Sequence, residues 1–429
     1  MRAPNTRRLV ALVVAAATGI TLAGCAAGDD SSDALTVWTR TDGEAYMRDL
    51  IALYEEQNPD VNVELTAIPN NEVQQKLGSA ISAGDAPDVA AIDVVKAPFF
   101  IAAEAFEDLT GQIAELPYAD DLLEGQLDAG TYDGKQYAVP FTADSSVLFY
   151  NKDLFAQAGL DPEAAPATWD EFAEAAIAVG ALGDEYEGYH FSAGCGGCSA
   201  FVLEPMVWAA GGDFLDSESG SLSPDATFDD PVVEELVKLL NSIVEQGGIT
   251  DSSQVDAGEN YGGAFESGKL GMVSSGSFYM SQLQNTPPPF EVGVAPLPGK
   301  TAGEVASFAG GDVLSMPVGA KNPEGAWDFI SWAAGDEAQT ALAEDGYTPI
   351  RTDLYESVYS SKGPEWAALA EATLSGRVPY TTSFNALFSD PNGPMVGLMQ
   401  SGVFGDDIPA AVESAQAAAQ QIVDQGSTE

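Results

Sequence analysis

The run from Pro140 to Phe172, PFTADSSVLFYNKDLFAQAGLDPEAAPATWDEF, constrains the fold more than any other in the chain. Val147 to Tyr150 is a short apolar run of strand formers, Asp153 to Ala158 has helical spacing, and Gly159 stops it. A strand therefore hands over to a helix. Pro166 bounds a turn, and Thr168 with Glu171 three residues later forms a capping box that starts a second helix at Trp169. Thr142, Ala143 and Asp144 precede the strand, where the chain leaves one compact unit and enters another. A polar group at such a crossing can face a cleft between domains; the plain alternative for Asp144 is a solvated loop acid.

A crossing of this kind needs two units, and 429 residues exceed what one hydrophobic core usually supports. Sixteen basic against 66 acidic residues give a formal charge of −50. Long-range repulsion then argues against nucleic acid, anionic membrane surfaces and anionic substrates, and leaves a neutral or cationic ligand. The acids are spread along the chain and keep a surface solvated, so acidity alone names no function.

Arg2, Arg7 and Arg8 followed by the apolar stretch Leu9 to Leu22 read as a signal peptide over residues 1–24. Ala26 to Asp33 is a flexible leash. From Leu35 to Asp93 strand and helix patterns alternate, which predicts a parallel sheet with right-handed crossovers. Ligands of such sheets sit beyond the carboxyl ends of the strands, where the loops hold Arg40, Asp42, Asp93 and Lys96. Asp133-Gly134 predicts a hairpin turn. Phe201 to Ala210 and Pro231 to Val244 read as helices, and Ala410 to Val423 as the clearest one near the end. Cys195 and Cys198 most simply form a disulfide that stiffens a glycine-rich loop. Thioredoxin-like chemistry needs its own strand and helix context, which Gly194 to Gly197 does not supply in the sequence pattern. Zinc needs more ligands than His190, the single histidine, provides.

The run L-F-Y-N-K-D-L-F…A-G-L…P-x-T-W-D-E-F resembles the extracellular solute-binding proteins that feed sugars to ATP-binding cassette importers, of the maltose- and multiple-sugar-binding type. Further segments share it: Phe106 to Thr110, Tyr132 to Pro140, Ala264 to Met272 with Ser274 to Phe278, Phe308 to Asp312 with Lys321 to Trp327, and Tyr347 to Arg351. Phe278 stands where the family usually has tryptophan, so the ring is kept and an N–H donor lost. Leu22-Ala23-Gly24-Cys25 resembles the bacterial lipobox, which implies cleavage before Cys25, a lipid on its sulfur and attachment to the outer face of the cytoplasmic membrane. The resemblance implies an α/β, two-lobed periplasmic-binding-protein-like fold of mixed, mostly parallel sheets flanked by helices, with a ligand cleft at the hinge. Residues 34–143 and 310–362 would form the first lobe, 144–309 and 363–429 the second, after a tether over 25–33. It further implies a monomer without cofactor or catalysis, whose partners are a carbohydrate and the membrane subunits of an importer.

A sugar offers hydroxyl edges and weakly apolar faces, so its pocket needs acceptors, donors and flat rings. Asp42, Asp93 and Asp144 are the candidate acceptors; Arg40, Lys96 and Arg351 are the donors. Trp208, Phe278, Tyr279 and Tyr347 are candidate platforms, with Phe201 and Phe384 behind them, each having core packing as its alternative. Gly310 and Gly311 let backbone amides approach a ligand, or serve a turn. A glycosidase would also pair carboxylates, but no segment shows the apolar niche that raises an acid's pKa for catalysis. A serine hydrolase lacks G-x-S-x-G. A thiol–disulfide lipoprotein built on Cys195 and Cys198 is the third rival, and within the binding class a peptide, polyamine or metal ligand is the remaining choice.

Overall fold

The computed structural model describes residues 34–216, 221–260, 262, 265–359 and 362–426. The signal peptide, Cys25, the tether through residue 33, and Ala264 lie outside the described residues. The described residues from Leu35 onward form one compact unit. Strands β1 (Leu35–Arg40), β2 (Val63–Ile68) and β3 (Val89–Asp93) alternate with helices Glu44–Gln57 and Val73–Ala83, and β1 pairs in parallel with both neighbours. Strands β4 (Thr131–Tyr132) and β5 (Lys135–Gln136) make the expected hairpin, with Asp133 and Gly134 both at positive φ as a primed turn requires.

Strand β6 (Val139–Asn151) is the backbone of the architecture. Its first half pairs antiparallel with β10 (Ser307–Ser315), and its second half lies between β8 (Leu270–Gly276) and β9 (Val292–Pro296). With β7 (Glu187–His190) parallel to β8, nine strands of the described residues join into one sheet, seven in the order β2-β1-β3-β10-β6-β8-β7 and two beside that path, β11 (Gly376–Arg377) on β10 and β9 on β6. Side chains alternate faces along each strand. Val89, Ala91, Phe141 and Phe149 therefore enter the core on one side, while Ala90, Ile92 and Leu148 enter the core on the other. Phe141 and Phe149 are fully buried, each contributing about 2 to 3 kcal/mol.

Two expectations need correction. Thr142, Ala143 and Asp144 are not a loop ahead of a strand: they lie inside β6, opposite Asp312, Gly311 and Gly310 of β10. Pro140 hides this in the sequence because it cannot donate to a ladder. It is tolerated where the β6/β10 register shifts, between Asp312 and Val313. Likewise Gly310 and Gly311 serve no turn: with the rest of Phe308 to Asp312 they lie inside β10.

The cysteine segment also differs from its expected form. Cys195 and Cys198 are bonded to each other, yet they open helix Gly196–Ala209, with Cys195 as its N-cap. The glycines that obscured this helix serve packing, since a Cβ on Gly196 would stand 2.1 Å from the Phe388 carbonyl oxygen. No described helix is long and apolar enough to cross a membrane.

Candidate functional site

Asp312, in the middle of the sheet and fully buried, anchors the first half of the site. Its Oδ1 accepts from Arg40 Nε at 2.7 Å, its Oδ2 from the Tyr46 hydroxyl, and its own N–H donates to Thr142 Oγ1 at 3.0 Å. The rest of the Arg40 guanidinium turns outward, with Nη1 3.7 Å from both Asp42 and Asp93. Burial opposes the arginine's charge, but Asp312 and Asp93 outweigh it and raise its pKa above the ordinary value. Lys96 donates to the Asn70 carbonyl at 2.7 Å, and Asn70 in turn donates to Asp42. Burial lowers the Lys96 pKa, with Asp93 opposing the shift. The carboxyl ends of β1 and β3 thus carry alternating cations and carboxylates, where parallel sheets place ligands.

Asp144 forms the second half. It is the one residue of β6 that keeps partial exposure. Its Oδ1 accepts from both the backbone N–H and the hydroxyl of Ser277, each at 2.7 Å. Oδ2 lies beside Gly276, where a Cβ would come within 2.6 Å of it and within 2.4 Å of the Phe278 ring. The missing side chain lets carboxylate and ring share one corner. Phe278 is 46% exposed, unusual for so large an apolar group. Burial raises the Asp144 pKa, while the Ser277 donors and the Arg40 charge pull the other way. Gly310 faces Asp144 across the strands, and a Cβ there would stand 3.2 Å from the Phe201 ring and 3.4 Å from the Asp144 Cβ. Gly311 has φ 102°, and a Cβ would meet the Thr142 oxygen at 2.0 Å, so close strand approach fixes this glycine.

The structure brings Arg40, Asp42, Asp93, Lys96, Asp144, Phe201, Phe278, Gly310 and Gly311 into these two groups. Tyr347 stands beside them, its ring edge 5.0 Å from that of Tyr46. Four candidates fall elsewhere. Arg351 is buried in its own network, donating to Asp353 at 2.9 and 2.6 Å and to Asp336 at 2.6 Å, with its guanidinium over Tyr118. Tyr279 is a core residue between Phe149 and Phe265, not a platform. Trp208 has one face toward Phe308 and the Arg377 guanidinium 5.0 Å from its ring, and its N–H donates to Asp213 at 3.0 Å. Phe384 packs in the core against Phe388.

Pattern reading missed Asp312, Tyr46, Ser277, Gln126 and Glu204. Gln126 Nε2 donates to the carbonyl oxygens of Thr142 and Gly310, at 2.8 and 2.5 Å, tying both crossing strands to helix Glu124–Ala129. Glu204 is buried, and one of its oxygens has no partner among the described residues. Burial, then Asp213, push its carboxyl well above the usual range. The available signal was an acid within an otherwise apolar run, as at Glu204 and Asp312.

A cavity of about 1070 Å³ includes Asp144 but otherwise lies mainly along residues 119–133 and 373–380. Its strand contacts Ala143 and Ala309 alternate with Asp144 and Gly310, which puts most of it against the opposite face of β6 and β10. The converging charges and the exposed ring mark the Arg40 and Asp144 groups as the better candidate.

The diacetylchitobiose-binding protein of Streptomyces coelicolor is 26% identical over 409 residues, covering 90% of this chain and 92% of that one. The multiple sugar-binding protein of Streptococcus mutans is 25% identical over 367 residues, covering 80% and 82%. Among solved structures, the cyclic α-maltosyl-1,6-maltose-binding protein of Arthrobacter globiformis superposes with a TM-score of 0.75 at 27% identity, covering 91% of this chain and 99% of its own. The two-lobed α/β architecture is common to these binding proteins. With residues 38–340 matched by the family model described as bacterial extracellular solute-binding protein, the chain belongs to that family.

Proposed function

We propose that the protein captures a neutral mono- or oligosaccharide between two lobes and delivers it, unaltered, to the membrane subunits of an ATP-binding cassette importer. The observation that carries this reading is the corner at Asp144, where Ser277 orients one carboxylate oxygen and leaves the other beside the exposed Phe278 ring. A pyranose needs that pairing: charge-assisted bonds to adjacent hydroxyls and a flat surface under its C–H face. Arg40, Asp42, Asp93 and Lys96 supply further donors and acceptors. The chain's similarity to a diacetylchitobiose-binding, a multiple sugar-binding and a cyclic α-maltosyl-1,6-maltose-binding protein supports the same ligand class.

In this reading residues 34–143 and 310–362 form the first lobe, and 144–309 with 363–429 the second. β6 and β10 cross between them, and the ligand favours the closed arrangement by touching both. Cys25 holds the mature protein to the outer face of the membrane by its lipid, and it acts as a monomer. A thermal-shift screen against maltose, maltotriose, diacetylchitobiose and arabino-oligosaccharides tests the function, because a ligand of the native state alone raises the melting temperature. A stabilising sugar recovered intact is expected, and Asp144→Ala loses the shift. Release of monosaccharide from the bound sugar would overturn the proposal.

A further inference from the structure

The Cys195–Cys198 pair occupies a place that a stiffening staple does not require. Cys195 is the N-cap of helix Gly196–Ala209, and its Sγ accepts from the Cys198 N–H at 3.2 Å. A thiolate formed there is stabilised by that N–H and by the helix N-terminus. The ring closes over a sequence separation of only 3, so it restrains the unfolded chain far less than a long loop would. Both cysteines are half-buried and so within reach of a small thiol.

The same turn sits at a junction. Gly258, at φ 96°, lies against both sulfurs, so that a Cβ there would be 3.1 and 3.2 Å from them. The Gly194 N–H donates to the Asp256 carbonyl at 2.8 Å, and the Asp256 carboxylate is held by Ser192 and His190. Gly196 abuts Phe388, in the turn that begins at Asn385. One turn beyond Cys198 comes Phe201, whose ring reaches the Asp144 and Gly310 corner. Pro205 follows, and its missing N–H leaves the Phe201 carbonyl without its helical donor. The helix is therefore one hydrogen bond weaker where the turns that carry the disulfide and Phe201 join the rest of it.

We propose that Cys195–Cys198 is a reversible thiol–disulfide exchange site, and that its reduction loosens residues 196–204 and withdraws Phe201 from the ligand corner. The reductant is a dithiol. One of its thiolates attacks Cys198 Sγ, the Sγ–Sγ bond breaks, and its electron pair stays on Cys195 as the thiolate at the helix N-terminus, the better leaving group. The second thiol of the reductant then displaces Cys198 from the mixed disulfide, leaves as the oxidised dithiol, and Cys198 takes a proton from water. The effect on binding rests on the saccharide reading above; the exchange itself does not.

The test treats the folded wild-type protein with millimolar dithiothreitol, traps thiols with iodoacetamide and follows amide exchange by mass spectrometry. Both cysteines are expected to be alkylated while the protein remains folded. Amide exchange in residues 198–204 is expected to quicken about tenfold or more, as for a local opening. With maltotriose or diacetylchitobiose as probe, the reduced protein is expected to bind about fivefold or more weakly, the lower end of ordinary coupling energies. The Cys195→Ser/Cys198→Ser protein should bind like the reduced form and ignore dithiothreitol. A disulfide that resists reduction until the protein unfolds overturns the proposal, as does unchanged exchange in residues 198–204. If neither redox state binds a sugar, the saccharide reading falls, and the alkylation and amide-exchange results still decide the redox site.

Discussion

Arg40 and Asp312, 272 residues apart in sequence, meet at 2.7 Å in the centre of the sheet, and the pair is structural before it is anything else. Asp312 is wholly buried, so loss of its cation leaves a charge that water cannot reach. Breaking such a pair costs about 3 kcal/mol or more, whereas removing a surface donor costs little. Arg40→Leu is therefore expected to lower the unfolding free energy by that amount, with a correspondingly lower urea midpoint, before any sugar is added. An unchanged midpoint would mean that Arg40 serves only the ligand.

Asp144 carries a pH dependence whose sign differs between binding and folding. Burial raises its pKa, so acidification protonates it above the ordinary carboxylate range and removes an acceptor that sugar hydroxyls need. Affinity is expected to fall as pH drops through that raised value, and Asp144→Asn should flatten the profile in calorimetric titrations. The ligand-free protein behaves in the opposite way. A carboxyl with a raised folded pKa favours folding more as it protonates, so this residue does not contribute to acid unfolding.

His190 is buried between Asp256, 3.2 Å from Nε2, and Glu187, 3.6 Å from Nδ1. Burial opposes its charge, but the two carboxylates win and raise its pKa. Burial likewise opposes the carboxylates, whose hydrogen bonds and the histidine charge lower theirs. The histidine's contribution is present below its unfolded value and lost as pH rises through the folded one; the carboxylates' is present above theirs and lost as pH falls. The network should thus stabilise most between roughly pH 4.5 and 6.5. His190→Gln is expected to cost about 2 kcal/mol at pH 5.5 and clearly less at pH 8.5 by denaturant titration. Equal costs at both values would contradict this.

Asn385 Nδ2 donates to Gln74 Oε1 at 2.8 Å, joining segments assigned above to different lobes. An exposed bond of this kind is worth about 1 kcal/mol at most. Asn385→Ala should weaken maltotriose binding by about fivefold or less, with a larger radius of gyration for the ligand-free protein in X-ray scattering. No change in either quantity would remove this contact from the closing motion.

Local signals were legible where a few neighbouring residues decide the outcome. Thr168 Oγ1 accepts from the Glu171 N–H, the first bond of a capping box, while the Glu171 carboxylate reaches one residue further back and accepts from the Ala167 N–H. Asp230 caps the helix that Pro231 opens. The first half of β6 was hidden because its polar residues find partners far along the chain: Thr142 with Asp312, Ser145 with Thr373, Ser146 with Ser307. The same limit explains the site. Residue type marked Tyr279, Trp208 and Arg351 as suitable for sugars, but it carries no information on which way a side chain faces, and neighbours claimed all three. Asp312 escaped notice because a charge in the middle of a strand makes sense only once Arg40 and Tyr46 arrive from 35–57.

The Gln126 amide, which grips a carbonyl on each crossing strand, settles what kind of movement these two strands permit. Held by their ladder and by this amide, β6 and β10 resist shearing past each other in that neighbourhood. In the two-lobe reading proposed above, closure would then be a swing about this pair of strands, with displacements small near Thr142 and growing toward the far helices.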